Sequence, residues 1–232
     1  MPTALCFDAF GTLYDTESPV VRLREHVDAP AGVIDDVVAL WRRKQLQYSY
    51  LVALMDDYRP FDAVTADALD YALDYYGIEL SAAERGTVAG AYDALDPFPD
   101  TVSALERLAE TDLRLAVLSN GAPHSLEALA EGAGIEERFS ALISADEVET
   151  FKPDPAVYEN AARRLDLPIS ECWLVSSNAW DAAGAANAGM GVAWVNRAGD
   201  PPERVGGTAD LVVDSLEGLA DELADGRRDS RS

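Results

Sequence analysis

Asp8 stands directly after the short apolar run Ala4-Leu5-Cys6-Phe7, and Thr12 follows it in the glycine-containing turn Phe10-Gly11-Thr12. A carboxylate so placed can act as a nucleophile and form a covalent ester. The backbone N–H groups of such a turn can bind an anion. Alone, Asp8 would read as an ordinary loop-starting aspartate; its company favours chemistry. Ser119-Asn120-Gly121 also follows an apolar run and precedes a helical stretch. A hydroxyl, an amide and free N–H groups at a helix start suit an anion, although Asn-Gly alone is often only a turn. Lys152 precedes Pro153-Asp154-Pro155, and only Lys44 and Lys152 are lysines among the 18 basic residues. Retaining lysine in so arginine-rich a chain points to a need for a compact ammonium; a leftover lysine is the bland alternative. Beside Asp8 that ammonium would hold the carboxylate ionised. Tyr158 lies roughly two turns up the helix that follows, where a plain core or surface aromatic would also fit. The string Ser176-Ser177-Asn178-Ala179-Trp180-Asp181 closes another apolar run and opens a helix. Asp181 could be a simple N-terminal helix charge, but the density of polar groups favours a site.

These residues converge only if the right elements carry them. A buried strand over 4–7 leads into a long helical stretch, from about residue 18 to 92. There Ile34, Val37, Val38, Trp41, Leu46 and Leu51 recur near helical spacing. A second helix is expected over 62–76, with Leu69, Ala72, Leu73 and Tyr76 on one side, and a third over 82–95. Asp96-Pro97-Phe98-Pro99-Asp100 punctuates the return. Beyond it, helix and strand alternate. Helices are expected over 101–110, 125–131, 155–165, 181–188 and 216–223, and strands over 113–118, 141–144, 173–175, 191–195 and 211–213. Such alternation predicts an α/β, doubly wound parallel-sheet, Rossmann-like core with an inserted helical domain. The expected division is 1–15 and 97–225 for the core, 16–96 for the insertion, and 226–232 for a frayed tail. Sites in such sheets lie at the carboxyl ends of the strands, where Asp8, Ser119, Asn120, Ser176 and Asn178 all fall.

Composition narrows the function classes. The 232 residues carry a net charge of −24, which argues against nucleic acid and against an anionic membrane surface. Hydrophobic residues make up 48%, too many for a disordered acidic chain. No apolar run approaches the ~20 residues of a membrane span, and the first residues do not read as a signal peptide; a cytoplasmic protein is expected. Cys6 and Cys172 are too few for a disulfide framework or a cysteine-based zinc site, and both read as buried core residues. His26 reads as exposed and His124 as a helix start, so a Ser-His-Asp triad is not expected. The arginine bias and the acidic excess together suggest adaptation to salt, with codon bias as the plainer explanation of the arginines.

The motifs in order resemble the haloacid dehalogenase superfamily, and closely its type II L-2-haloacid dehalogenases. They are Phe7-Asp8-Ala9-Phe10-Gly11-Thr12-Leu13, Leu118-Ser119-Asn120-Gly121, Phe151-Lys152-Pro153-Asp154 with Tyr158, and Val175-Ser176-Ser177-Asn178-Ala179-Trp180-Asp181. Trp41-Arg42-Arg43-Lys44-Gln45-Leu46 adds to them from the helical stretch. The likeness runs from about residue 4 to 224. It implies a helical cap over the core and a site between the two. It also implies hydrolysis of an L-2-haloalkanoic acid to a D-2-hydroxyalkanoic acid through an aspartyl ester at Asp8.

The resemblance further implies that Thr12, Lys152, Tyr158, Ser176, Asn178 and Asp181 serve that chemistry, with Asn178 and Asp181 positioning water. Ser119 and Asn120 would bind the substrate carboxylate and Arg42 the halide. Leu46, Phe61 and Trp180 would wall the alkyl side, with Phe10 or Tyr14 left open as additions. Arg42 shares a helix face with Val38 and Leu46, although without the resemblance a solvated cluster of Arg42, Arg43 and Lys44 is the reading that spacing favours. The alternative is a phosphatase of the same superfamily. Such enzymes carry a second Asp two residues after the nucleophile, where Phe10 stands here, and Gly-Asp where Ser176-Ser177 stands here. A halide needs no proton to leave, and the two lost carboxylates leave few ligands for Mg²⁺, so no metal or cofactor is expected. A decayed, non-catalytic anion binder is the reading from a different class. The partners expected are the small halo acid, water and, by resemblance, a second copy in a homodimer.

Overall fold

The computed structural model describes residues 2–225. The tail expected over 226–232 lies outside them. A six-stranded sheet runs in the order β3-β2-β1-β4-β5-β6, formed by β1 (Ala4–Phe7), β2 (Arg114–Ser119), β3 (Ala141–Ser144), β4 (Cys172–Ser176), β5 (Gly191–Val195) and β6 (Leu211–Val213). Every neighbouring pair is parallel. Strand side chains alternate between faces, and β1 shows it. Leu5 and Phe7 join a core cluster with Leu115, Val117, Leu105 and Leu219. Ala4 and Cys6 join another on the opposite face with Leu118, Leu174, Val157 and Tyr158. Helices α5 (Thr101–Ala109), α6 (Pro123–Gly132) and α9 (Leu216–Ala220) supply the first cluster, and α7 (Pro155–Leu165) and α8 (Ala179–Ala188) the second. This is the doubly wound α/β sheet expected. Strand order reverses between β1 and β4, which opens a crevice at their carboxyl ends.

Between β1 and α5 the described residues form no further sheet strand; the α-helices there are α1 (Ser18–His26), α2 (Ala31–Leu54), α3 (Phe61–Tyr76) and α4 (Ala82–Ala89). They make the helical cap. Its neck is narrow: Asp15 donates its N–H to Asp96 O at 2.8 Å, and Phe98 donates to Leu13 O at 2.9 Å. Trp41 and Gln45 tie α2 to α3, Nε1 of Trp41 donating to Thr65 O at 2.8 Å and Nε2 of Gln45 to Thr65 Oγ1 at 2.7 Å. Several expectations need correction here. Pro30, at the N-cap of α2, separates it from α1, so the helical stretch opens with two helices rather than one. The third expected helix stops at Ala89 and gives way to a tighter turn over Gly90–Asp93 instead of reaching residue 95. The last helix stops at Ala220 and continues as the wider turn Asp221–Asp225. Leu51 and Tyr76, read as parts of inward stripes, are exposed: the buried stripe of α2 runs through Ser49 and Val52 and leaves Leu51 to one side, and that of α3 ends at Leu73. His26 is half-buried rather than exposed. No helix among the described residues is long and apolar enough to cross a membrane.

Candidate active site

Asp8 follows β1 at the strand-order reversal, and its N–H extends the sheet by bonding Val175 O at 2.9 Å. The carboxylate is therefore fixed by sheet backbone on one side and by its own hydrogen bonds on the other. Oδ1 accepts from Lys152 Nζ at 3.0 Å. Oδ2 accepts from Thr12 Oγ1 at 3.1 Å and from Asn178 Nδ2 at 2.8 Å. Thr12 in turn accepts the N–H of Ser177 at 2.8 Å, which clasps the turn after β1 to the turn after β4. The turn itself needs Gly11, whose φ of 80° lies in the left-handed region.

Lys152 is 1% exposed and shared between two carboxylates, with Asp181 Oδ2 at 2.9 Å. Its backbone N–H donates to Asn120 Oδ1 at 2.9 Å, which binds the loop after β2 to the loop that presents the ammonium. The other oxygen of Asp181, Oδ1, accepts from Tyr158 Oη at 2.7 Å. Burial pushes the Asp8 carboxyl up, with Lys152 pulling it down and Asp181 adding to the rise. Burial disfavours the Lys152 ammonium, but Asp181 and Asp8 more than offset that and hold it above the ordinary lysine range. Burial and the charge of Asp181 keep the Tyr158 hydroxyl protonated, well above the ordinary tyrosine range. The cluster thus places one cation against two carboxylates, and the one that faces the cavity is Asp8.

That cavity, of about 50 Å³, lies between core and cap and is lined by Asp8, Phe10, Thr16, Arg42, Gln45, Leu46, Phe61, Tyr92, Asn120, Lys152, Asn178 and Trp180. The core contributes its polar floor. The cap contributes Leu46 and Phe61, and Phe10 stacks on Phe61 at 6.1 Å between ring centroids. Arg42 comes from α2 and donates to Thr16 Oγ1. Although part of its surface is open to solvent, it borders the cavity, and Arg43 does not.

Arg42, Leu46, Phe61, Asn120, Lys152, Asn178 and Trp180, expected from sequence, thus share one wall with Asp8. Of the two open additions, Phe10 joins it. Tyr14 is buried beside the neck, bridged to Phe10 and Pro97. Thr12, Ser119, Tyr158, Ser176 and Asp181 are buried off the wall. Ser119 Oγ accepts the N–H of Gly121, and Ser176 Oγ accepts the N–H of Asn178, each at 3.1 Å. Both hydroxyls therefore brace the loops that carry Asn120 and Asn178. Sequence reasoning missed Thr16, Gln45 and Tyr92. Gln45 was within reach, three residues after Arg42 on the same helix face. Thr16 and Tyr92 lie outside regular helices and follow no periodicity.

No group of three or more His, Cys, Asp or Glu side chains among the described residues is arranged to hold a metal ion. Between the two carboxylates, where a cation is needed, stands the ammonium of Lys152.

Comparison with known proteins agrees with this geometry. The chain is 42% identical over 217 residues to an (S)-2-haloacid dehalogenase of Pseudomonas sp. strain YL, covering 94% of this chain and 92% of that one. It is 34% identical to haloacetate dehalogenase H-2 of Moraxella sp. strain B, over 95% of this chain and 97% of that one. The L-2-haloacid dehalogenase of Xanthobacter autotrophicus, solved with chloropropionic acid covalently bound, superposes with a TM-score of 0.90 at 35% identity, over 96% of this chain and 98% of that one. The sequence model of the haloacid dehalogenase-like hydrolases matches residues 2–189. With a matching family model, a parallel sheet topped by a helical cap, and a buried aspartate at its reversal point, the chain belongs to the haloacid dehalogenase-like hydrolase family.

Proposed function

We propose that this chain hydrolyses L-2-haloalkanoic acids to D-2-hydroxyalkanoic acids and halide. The observation that carries the proposal is Asp8: a buried carboxylate on a small, partly apolar cavity, held by Lys152, Thr12 and Asn178, with Phe10 where a phosphatase would place its acid. An Asp8 oxygen attacks the carbon that bears the halogen, the carbon–halogen bond breaks with inversion, and the halide leaves with the electron pair toward Arg42. Asn120 receives the substrate carboxylate, supported by Ser119, and Phe10, Leu46, Phe61 and Trp180 enclose the alkyl side. Forming the ester removes the charge of Asp8, so Lys152 is then balanced by Asp181 alone, which Tyr158 holds in place. Water, held on Asn178 with Asp181 as the neighbouring carboxylate, attacks the ester carbonyl. The oxyanion that forms meets Lys152 again and collapses to the hydroxy acid, regenerated Asp8 and a proton. Substitution at the chiral carbon happens once, hence L to D.

The test is halide release from L- and D-2-chloropropionate, with and without EDTA, in wild type and Asp8→Asn. Release is expected from the L acid only, unaffected by EDTA and abolished in Asp8→Asn once mass spectrometry shows the amide intact. Loss with EDTA restored by Mg²⁺ would return the assignment to a phosphatase, and substantial activity in intact Asp8→Asn would remove Asp8 as nucleophile.

The same reading takes 1–15 and 97–225 as core and 16–96 as cap, a division supported by the paired neck at Asp15–Asp96 and Leu13–Phe98. A homodimer is supported by the exposed Leu54, Met55 and Tyr75 on α2, the turn after it and α3, which a second copy would cover. The net charge of −24 supports a salt-adapted enzyme, and a cytoplasmic one remains the reading drawn from its first residues.

A further inference from the structure

The reaction proposed above uses the charged groups of the cavity and leaves idle one wall residue whose polar atom has no partner. Tyr92 sits in the short turn after α4 and is 6% exposed. Trp41 and Phe10 hold its ring edge-on, with centroids 5.3 Å and 5.8 Å away. Its Oη is buried and has no hydrogen-bond partner in the protein. Buried hydroxyls nearly always have one, and an exception calls for an explanation. The other buried side-chain atoms without a partner among the described residues belong to Arg59, Ser177 and Arg197, none of which borders this cavity.

In-line displacement sends the halogen away from Asp8, toward the wall that the cap supplies. The polar residues there are Thr16, Arg42, Gln45 and Tyr92. Gln45 is engaged with Thr65, and Thr16 with Arg42. The remaining wall is apolar, so a departing halide meets Arg42 and Tyr92. Burial pushes the Tyr92 hydroxyl up to about 12 while the charge of Arg42 pulls the other way. The phenol is therefore neutral at pH 7, a donor, and within the field of Arg42. Tyr92 also borders a neighbouring cavity of about 100 Å³, but Asp62 and Asp93 line that one and make it hostile to an anion.

We propose that Tyr92 donates a hydrogen bond from its hydroxyl to the departing halide beside Arg42, keeping its proton, and is a further catalytic residue of the dehalogenation, an assignment that rests on the function proposed above.

Tyr92→Phe removes the oxygen and keeps the packed ring. Because the hydroxyl has no protein partner, the variant should melt no lower than wild type. Two readouts are needed: chloride and bromide binding without substrate, followed by tryptophan fluorescence (Trp180 borders the cavity), and single-turnover halide release from L-2-chloro- and L-2-bromopropionate. A lost hydrogen bond to an anion predicts chloride affinity weaker by about ten-fold and chloride release slower by roughly ten- to a hundred-fold. Bromide, larger and a weaker acceptor, should lose less in both. Equal losses for both halogens with unchanged chloride binding would make Tyr92 a packing residue and overturn the proposal, as would no change at all. If wild type releases no halide yet Tyr92→Phe weakens chloride binding, the dehalogenase reading falls and the halide contact stands.

Discussion

Replacing Lys152 by methionine keeps an unbranched stem and removes the charge. In the wild type the ammonium lies 3.0 Å from Asp8 and 2.9 Å from Asp181, and the three side chains are 1%, 8% and 0% exposed. Two unit charges 3 Å apart interact by about 5.5 kcal/mol at an effective dielectric constant near 20. Removing one partner of a buried pair costs about 3–5 kcal/mol, because the other is left uncompensated. For a chain of this size each kcal/mol shifts Tm by about 2–4 °C, so the expected loss at pH 8 is roughly 6–20 °C. The sign of its pH dependence follows from linkage. Without Lys152, whose charge pulls it down, the Asp8 carboxyl is pushed further above the unfolded value near 3.9. A raised folded pKa stabilises at low pH and loses that stabilisation as pH rises through it. The deficit relative to wild type should therefore be smaller at pH 5 than at pH 8. Wild type keeps the Lys152 contribution throughout this range, since its folded pKa is raised and the contribution is lost only above the unfolded value near 10.4. Thermal melts at the two pH values and halide release at pH 8 decide the matter. A deficit below about 2 °C at pH 8, or one equal at both pH values, would refute the shared-ammonium account; halide release in the variant should be undetectable.

Arg42→Ala should slow turnover by roughly 10²–10³-fold, the scale of losing a group aimed at developing negative charge. Arg43→Ala, on the neighbouring exposed face, should stay within about two-fold; equal mild losses in steady-state kinetics would make the cluster a solvated face. With a net charge of −24, raising KCl from 0.1 to 1 M shortens the Debye length from about 10 to about 3 Å and should raise Tm. A flat or falling Tm across that range at pH 7 would remove the salt-adapted reading and leave the site assignments alone.

The sheet was legible because strand and helix periods differ and because each strand ends in a polar cluster. The convergence of Asp8, Asn120, Lys152 and Asn178 then follows from parallel strands alone. What periodicity could not show was which polar groups face outward. Asp181 reads like Asp8 in sequence, yet it lies behind Lys152, because α8 turns its N-terminal carboxylate inward toward Tyr158. Ser119 reads as a substrate contact and Ser176 as part of the chemistry, yet each hydroxyl accepts a backbone N–H of its own turn. Tyr92 gave no signal, since it belongs to a three-residue-per-turn segment closing the cap, and only tertiary packing with Trp41 and Phe10 holds it at the wall. The early ends of α4 and α9 were equally hidden, because helix termini depend on local capping and on neighbours more than on apolar spacing.

The two oxygens of Asp8 are not equivalent. Oδ2 is pinned by Thr12 and Asn178, and Oδ1 by Lys152 alone, so exchanging them by a ring-like flip would break all three hydrogen bonds. Under the chemistry proposed here, the attacking oxygen departs in the hydroxy acid and an oxygen from water takes its place. The first product molecule from each protein then contains an oxygen that was part of the polypeptide, and the solvent's oxygen emerges one turnover later. In isotopically labelled water a carboxylate held this firmly would deliver its label in full on the second cycle, whereas a freely rotating one would smear it over many. The hydrogen-bond pattern around one side chain thus gives the enzyme an isotopic memory a single cycle deep.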